Sequence, residues 1–174
     1  LEGAKLGGPF TLVDKSGKTV RWEDFAGEYR IVYFGYTFCP DVCPVDLQNI
    51  AQGVRLFAKD HADAAAKIQP IFITIDPARD TPEVVGKYAA NFGPSVIGLS
   101  GTPAQIDAVA KKWAVFHQKR DGSSPKDYLM DHSRAAYTSS MFVHWMGDLQ
   151  LDPHDSNRLL HVTGYGLWAT LHLK

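Results

Sequence analysis

Two short, unbroken apolar runs, Ile31-Val32-Tyr33-Phe34-Gly35-Tyr36 and Ile71-Phe72-Ile73-Thr74-Ile75, constrain the fold of this chain more than any other feature. A strand with one face in water alternates apolar and polar residues. A run without that alternation fits a strand covered on both faces, as in a parallel sheet with helices above and below. Between the runs, Leu47, Ile50, Ala51, Val54, Phe57 and Ala58 recur at helical spacing through about Lys59, the signature of a helix laying one face on such a sheet.

Further along, Thr81-Pro82-Glu83 combines a capping hydroxyl, a proline in the first turn and an acid at the positive end of the helix dipole. It predicts a helix running to about Asn91. Val96-Ile97-Gly98-Leu99 reads as a short strand, and Thr102-Pro103 repeats the capping device for a helix through Trp113. Val115-Phe116-His117 predicts another short strand, residues 121–126 (Asp-Gly-Ser-Ser-Pro-Lys) an exposed loop, and a last strand should follow Asp131-His132-Ser133. At the start, Phe10-Thr11-Leu12-Val13 and Lys18-Thr19-Val20-Arg21-Trp22 flank Asp14-Lys15-Ser16-Gly17, a hairpin signal. The order implies an α/β fold with a central, mainly parallel sheet flanked by helices and an N-terminal β-hairpin.

The 174 residues suit one domain spanning 1–174. Hydrophobic residues at 45% and charged residues at 21% argue against disorder, and a net charge of −1 lacks the basic footprint of a nucleic-acid binder. No stretch approaches 18 consecutive apolar residues, and Leu1-Glu2-Gly3-Ala4 does not open like a signal peptide. The expectation is a mature or trimmed soluble domain, with any membrane anchor lying upstream.

Chemistry concentrates in Cys39-Pro40-Asp41-Val42-Cys43, which holds both cysteines of the chain at the hand-over from a buried strand to a helix. Reactive groups collect at the carboxyl ends of strands in such sheets, and a helix N-terminus favours the thiolate. Pro40 suits a first helical position, whereas Pro44 leaves the helix start open. Residues four apart on a helix have Cβ atoms about 5–6 Å apart. A disulfide wants roughly 3.8 Å, while a metal ion with bonds of about 2.3 Å bridges the larger gap. The spacing therefore favours a metal and leaves reversible oxidation, or a small disulfide staple, available. A metal needs a third ligand. Of the seven histidines, His132 stands out between Asp131 and Ser133, and Asp131 can orient the imidazole from behind. His61 reads as surface. His144, His154, His161 and His172, with Met141 and Met146, lack the regular spacing of an extra copper site. Asp76, Arg79 and Asp80 read as a capped loop with a local ion pair, Tyr33 and Phe34 as core, and Tyr36 and Phe38 as neighbours of the thiols.

With these segments in hand, the chain resembles the Sco/SenC family of copper-binding assembly factors for cytochrome c oxidase. The resemblance rests on Gly7-Gly8-Pro9-Phe10-Thr11-Leu12, on Val32 through Pro44 around the cysteines, and on Asp76-Pro77-Ala78-Arg79-Asp80-Thr81-Pro82-Glu83. Gly98-Leu99-Ser100-Gly101-Thr102 and Asp131-His132-Ser133 with Tyr137 extend it, so that it covers residues 7–137. It implies a thioredoxin-like fold, copper held by Cys39, Cys43 and His132, and Asp131 in support. It also implies copper delivery to, or thiol reduction of, the binuclear copper centre (CuA) in the copper-bearing subunit of cytochrome c oxidase. An upstream copper donor or thiol reductant would serve it. Members face the bacterial periplasm or the mitochondrial intermembrane space, tethered by an N-terminal helix. Two thiolates and an imidazole are soft donors suited to Cu(I) and acceptable to Cu(II).

Past Tyr137 the chain departs from the family pattern of strand, turn, strand and final amphipathic helix. Thr138-Ser139-Ser140-Met141-Phe142-Val143-His144-Trp145-Met146-Gly147-Asp148 breaks it, so residues 138–174 are atypical. Three other readings compete. A thioredoxin-type oxidoreductase carries C-x-x-C and a cis-proline, neither of which is present here, although a dedicated reductase for the oxidase cysteines stays open. A peroxiredoxin wants Thr or Ser three residues before its cysteine and a proline upstream, where this chain has Tyr36 and Val32. Redox signalling, with disulfide formation controlling copper binding, also stays open. The expected protein is a copper carrier with little or no turnover of its own.

Overall fold

The computed structural model describes residues 7–124, 127–138, 141–144, 146–152, 155–163 and 168–172, with side chains described for 7–122 and 127–137. The N-terminal hairpin pairs β1 (Thr11–Val13) with β2 (Thr19–Arg21), and Leu12 stands opposite Val20. The Asp14 carboxylate closes its turn by accepting from the Ser16 amide at 2.8 Å and the Lys18 amide at 3.0 Å. A 3-10 turn at Trp22–Phe25 then leads into β3 (Tyr29–Gly35), α1 (Val42–Asp60), a short α2 (Ala62–Ala65) and β4 (Ile68–Thr74). After these come α3 (Pro82–Ala90), β5 (Ile97–Leu99), α4 (Pro103–Lys112), β6 (His117–Ser124) and β7 (Asp127–His132). The backbone continues as β8 (Ala135–Thr138), β9 (Met141–His144), β10 (Met146–Asp152), β11 (Asp155–Thr163) and β12 (Trp168–His172).

The central sheet has five strands in the order β5-β4-β3-β8-β9. Its β3/β4 and β4/β5 pairs are parallel, as the apolar runs predict, while β3/β8 and β8/β9 are antiparallel. The sheet is thus mixed, with its parallel half built from the two runs. Alternation along β3 shows why its run is apolar at successive positions. The Tyr33 ring stacks on Phe72, which meets Tyr88 of α3, and the Tyr33 hydroxyl donates to Asp46 of α1. Phe34, on the opposite face, meets Trp113 at the end of α4 and Tyr137 of β8. Both rings are fully buried, at a stabilisation of roughly 1.5–3 kcal/mol each.

The capping signals are realised. Thr81 accepts from the Val84 amide, and Thr102 forms a reciprocal capping box with Gln105. The start of the first helix, which Pro44 leaves open in the sequence, falls at Val42, with Pro44 within the first turn, where its missing amide costs no helical partner. Two details differ from the sequence-based expectation. Residues 121–124 belong to β6 rather than to a loop, because β6 and β7 form a two-stranded antiparallel hairpin with an irregular register near its tip. Residues 125–126 lie outside the described residues. His132 therefore ends a strand, β7, that sequence patterning did not signal, and β8 follows it. The atypical tail continues as strands: β10, β11 and β12 form a separate antiparallel sheet.

Gly98 marks the closest approach of helix to sheet. A Cβ there would lie 2.4 Å from the Val85 carbonyl oxygen of α3, so only glycine lets α3 rest on β5. Gly98→Ala should cost about 1–3 kcal/mol through overpacking, read as a lower urea midpoint with an unchanged slope. An unchanged midpoint would mean that the contact is looser than described.

Candidate metal centre

The cysteine segment leaves the carboxyl end of β3 and is held from below by a buried acid. Asp80 accepts from the Thr37 amide at 2.9 Å, the Thr37 hydroxyl at 2.5 Å and the Thr74 hydroxyl at 2.7 Å. Its backbone carbonyl accepts from the Ser100 hydroxyl at 2.7 Å. Burial pushes the Asp80 carboxyl above the usual carboxylate range even though the two threonines oppose the shift. The loop after β3, the end of β4 and the end of β5 thus meet on one residue.

Cys43 lies in the first turn of α1 and is completely buried. The sequence makes room for it. A Cβ on Gly35 would stand 2.8 Å from the Cys43 sulfur and 3.0 Å from Phe72, so the strand must carry glycine beneath the thiol. Cys39 is half-buried, and its sulfur accepts from the Cys43 amide at 3.4 Å, doing for the helix what the Asp41 side chain does not. Both cysteines are free thiols. A hydrogen bond from Cys43 holds Cys39 well below the ordinary thiol range, against the cost of partial burial, and the amides of Asp41 and Cys43 add to the effect. Cys43 is pushed up instead, first because it donates to Cys39, then by its burial and by the neighbouring negative sulfur. The two opposite shifts favour the charge on Cys39 and the proton on the deeper sulfur.

β7 delivers the third donor. The Nε2 of His132 lies 3.3 Å from the Cys43 sulfur, and its Nδ1 lies 3.0 Å from the Ser133 carbonyl oxygen. A carbonyl only accepts, so Nδ1 carries the proton, and in the neutral ring Nε2 turns a lone pair toward the sulfurs. The buried Tyr36 ring meets the imidazole edge to face at 5.9 Å. The donor atoms of Cys39, Cys43 and His132 all lie within 4.8 Å of one another. That separation is about twice a metal–ligand bond of roughly 2.0–2.3 Å. Two sulfurs and one nitrogen, with no fourth His, Cys, Asp or Glu in the group among the described residues, suit a soft, low-coordinate ion better than tetrahedral zinc.

Asp131 is a correction. Neighbouring residues on a strand face opposite ways, and its carboxylate accepts from Arg120 Nε at 3.1 Å and Nη2 at 2.7 Å. The imidazole is oriented by the Ser133 backbone instead. His117 stands opposite His132 in the hairpin but pairs with Asp107 at 3.4 Å, and His61 stacks on Phe57. The side chains of His144, His154, His161, His172, Met141 and Met146 lie outside the described set. Asp76 and Arg79 form the expected local ion pair at 2.6 Å. Arg79 also lies over the rings of Tyr128 and Phe38, and Phe38 is 54% exposed beside Cys39. The sequence reading missed Asp46 and Arg134. An acid three residues after Cys43, on the apolar face of a helix, was the signal available.

A thioredoxin-like α/β protein with two cysteines and a histidine gathered at the end of its sheet is the class that fold and site define. The SCO1/SenC family model matches residues 1–142, beyond the 7–137 recognised by motif, and the chain belongs to that family. It is 47% identical over 130 residues to the mitochondrial protein SCO2 of Saccharomyces cerevisiae, covering 74% of this chain and 42% of that one. It is 42% identical over 134 residues to the protein SenC of Rhodobacter capsulatus, covering 77% of this chain and 58% of that one. The chain thus spans about half the length of these curated relatives. Among solved structures, Arabidopsis thaliana ScoI with copper bound superposes with a TM-score of 0.72 at 37% identity, covering 79% of this chain and 85% of that one. No helix among the described residues is long and apolar enough to cross a membrane.

The sulfur asymmetry is directly testable. Limiting iodoacetamide at pH 6.5 should modify Cys39 and leave Cys43 untouched, read by mass spectrometry of the digested protein. Equal labelling would contradict the assignment of the shared proton.

Proposed function

We propose that this protein is a copper carrier for assembly of the CuA centre of cytochrome c oxidase, with Cys39, Cys43 and His132 as the three ligands of its cargo. The observation that carries the reading is the convergence of two free sulfurs and one lone-pair nitrogen within 4.8 Å, in a family whose solved members include copper-bound forms. A transfer site must hold its ion firmly and yet release it. Cys39 supports this, since it is only half-buried and its thiolate is favoured, available to an incoming donor or acceptor while Cys43 and His132 hold from behind. The partner is the copper-bearing oxidase subunit. The compartment is the bacterial periplasm, with the mitochondrial intermembrane space as the alternative, as relatives of both origins suggest. The same asymmetric dithiol supports a second reading, reduction of the oxidase cysteines, with Cys39 attacking and Cys43 resolving.

Cys39→Ala, Cys43→Ala and His132→Ala should each retain the fold and weaken Cu(I) binding by more than about 100-fold, since loss of a ligand exceeds loss of an outer-shell contact. Competition against a chelator reads the effect. Wild-type affinity in His132→Ala would remove it as a ligand. Negligible copper affinity combined with fast disulfide turnover would favour the reductase.

Protons report the same site. With Cys39 held below the ordinary thiol range and Cys43 pushed above it, the proton the ion must displace is that of Cys43. Binding should therefore release about one proton rather than two and strengthen about tenfold per pH unit as pH rises. Calorimetry in buffers of different ionisation enthalpy measures the number; release of two protons would contradict the ionised Cys39.

A further inference from the structure

We propose that the ion pair between Asp46 and Arg134 is a positioning device that holds the His132 imidazole against the two sulfurs, an inference that rests on the cargo-site reading and deepens it. His132 ends a strand whose only ladder, among the described residues, runs to β6 in a two-stranded hairpin. Its own strand makes no ladder to the central sheet or to α1 among the described residues, and the next strand, β8, joins β3 only from Ala136 on. Toward the hairpin tip, Arg79 Nη1 donates to the Tyr128 carbonyl at 2.9 Å, and the Tyr128 hydroxyl donates to Asp76 at 2.7 Å. At the His132 end, the tie to the helix carrying Cys43 is Arg134, two residues on.

Its guanidinium grips Asp46 at two points, Nε to Oδ2 at 2.7 Å and Nη2 to Oδ1 at 2.5 Å. Asp46 lies three residues after Cys43 and shares its face of α1. Its side chain is 2% exposed, and Oδ2 also accepts from the Tyr33 hydroxyl at 2.9 Å. Tyr33 lies two residues before Gly35, the glycine beneath the Cys43 sulfur. One carboxylate thus joins the helix that holds the thiol, the strand beneath it and the segment that holds the imidazole. An ion pair with one buried partner is a weak device for stability, since apolar residues of similar volume serve as well at such a site. The forked, two-point geometry of arginine on carboxylate instead sets distance and orientation. Asp46 and Arg134 are positioning residues that act through His132.

The test compares the full chain with Asp46→Leu/Arg134→Met, with His132→Ala and with the triple variant. The apolar pair removes the link without leaving a buried unpaired charge. It should keep the circular dichroism and cooperative unfolding of the parent, bind Cu(I) about 10–100-fold more weakly, and lose the nitrogen splitting of the Cu(II) electron paramagnetic resonance spectrum. Adding His132→Ala should then cost nothing further. Wild-type affinity and splitting in the apolar pair, or an equal loss from His132→Ala in both backgrounds, would overturn the proposal. Should the apolar pair not fold, Arg134→Lys keeps the charge and loses the fork. It should bind several-fold more weakly with reduced splitting, and parental values would overturn the proposal. A parent chain that holds no copper would instead sink the cargo reading itself, a result separable from failure of the pair.

Discussion

The buried carboxyl of Asp80 is the interaction on which the site's architecture depends. Through two threonines it joins the loop after β3 to the end of β4, while the backbone carbonyl of the same residue accepts from the Ser100 hydroxyl just past β5. Burying an acid costs several kcal/mol unless its oxygens are satisfied, and here each oxygen finds a donor. The cost is offset only while the loop after β3 and the end of β4 stay against Asp80. That makes the carboxyl a lock on the segment from which Cys39 and Cys43 project. Arg79 and Asp76, one turn earlier, hold Tyr128 and with it the neighbouring hairpin. The acidic loop after β4 thus serves both walls of the site.

Burial divides the labour between the two sulfurs. Cys43 sits at zero exposure against Gly35 and Phe72, shielded from solvent and short of stabilisation for a charge. Cys39 is half-exposed at the helix N-terminus, where amides and the neighbouring thiol favour its thiolate. Identical side chains four residues apart become an open, charged donor and a closed, protonated one. The third donor comes from outside the central sheet, and its ring is fixed at Nδ1 by a backbone carbonyl. Two sulfurs and a nitrogen, with no fourth side-chain donor in the group among the described residues, leave room for the exchange of ligands that carriage of a metal requires.

Much of this was legible in residue order because it is local. The uninterrupted runs announced β3 and β4, Thr81-Pro82 and Thr102-Pro103 announced two helices, and the cysteine spacing favoured a metal over a disulfide. The errors share one cause. Adjacency in sequence pairs Asp131 with His132, yet on a strand adjacent residues diverge, and Arg120 across the hairpin takes the Asp131 carboxylate. Strand β7 was missed because Asp-Tyr-Leu-Met-Asp-His carries no clear alternation, and its pairing depends on β6. Arg134 drew no notice, since its partner lies 88 positions away in sequence.

What the sequence alone determined is the inventory: two buried parallel strands, their capped helices, a thiol pair at a strand-to-helix junction, and the motif that picks one histidine among seven. These follow from periodicity, capping and side-chain chemistry, which act over a few residues. Tertiary structure decided how the donors meet. Which sulfur keeps the proton, which backbone atom orients the imidazole and which ion pair joins its segment to α1 all depend on burial and on distances between remote segments. No short stretch of chain contains that information, because solvent exclusion and electrostatic neighbours exist only once the segments are packed.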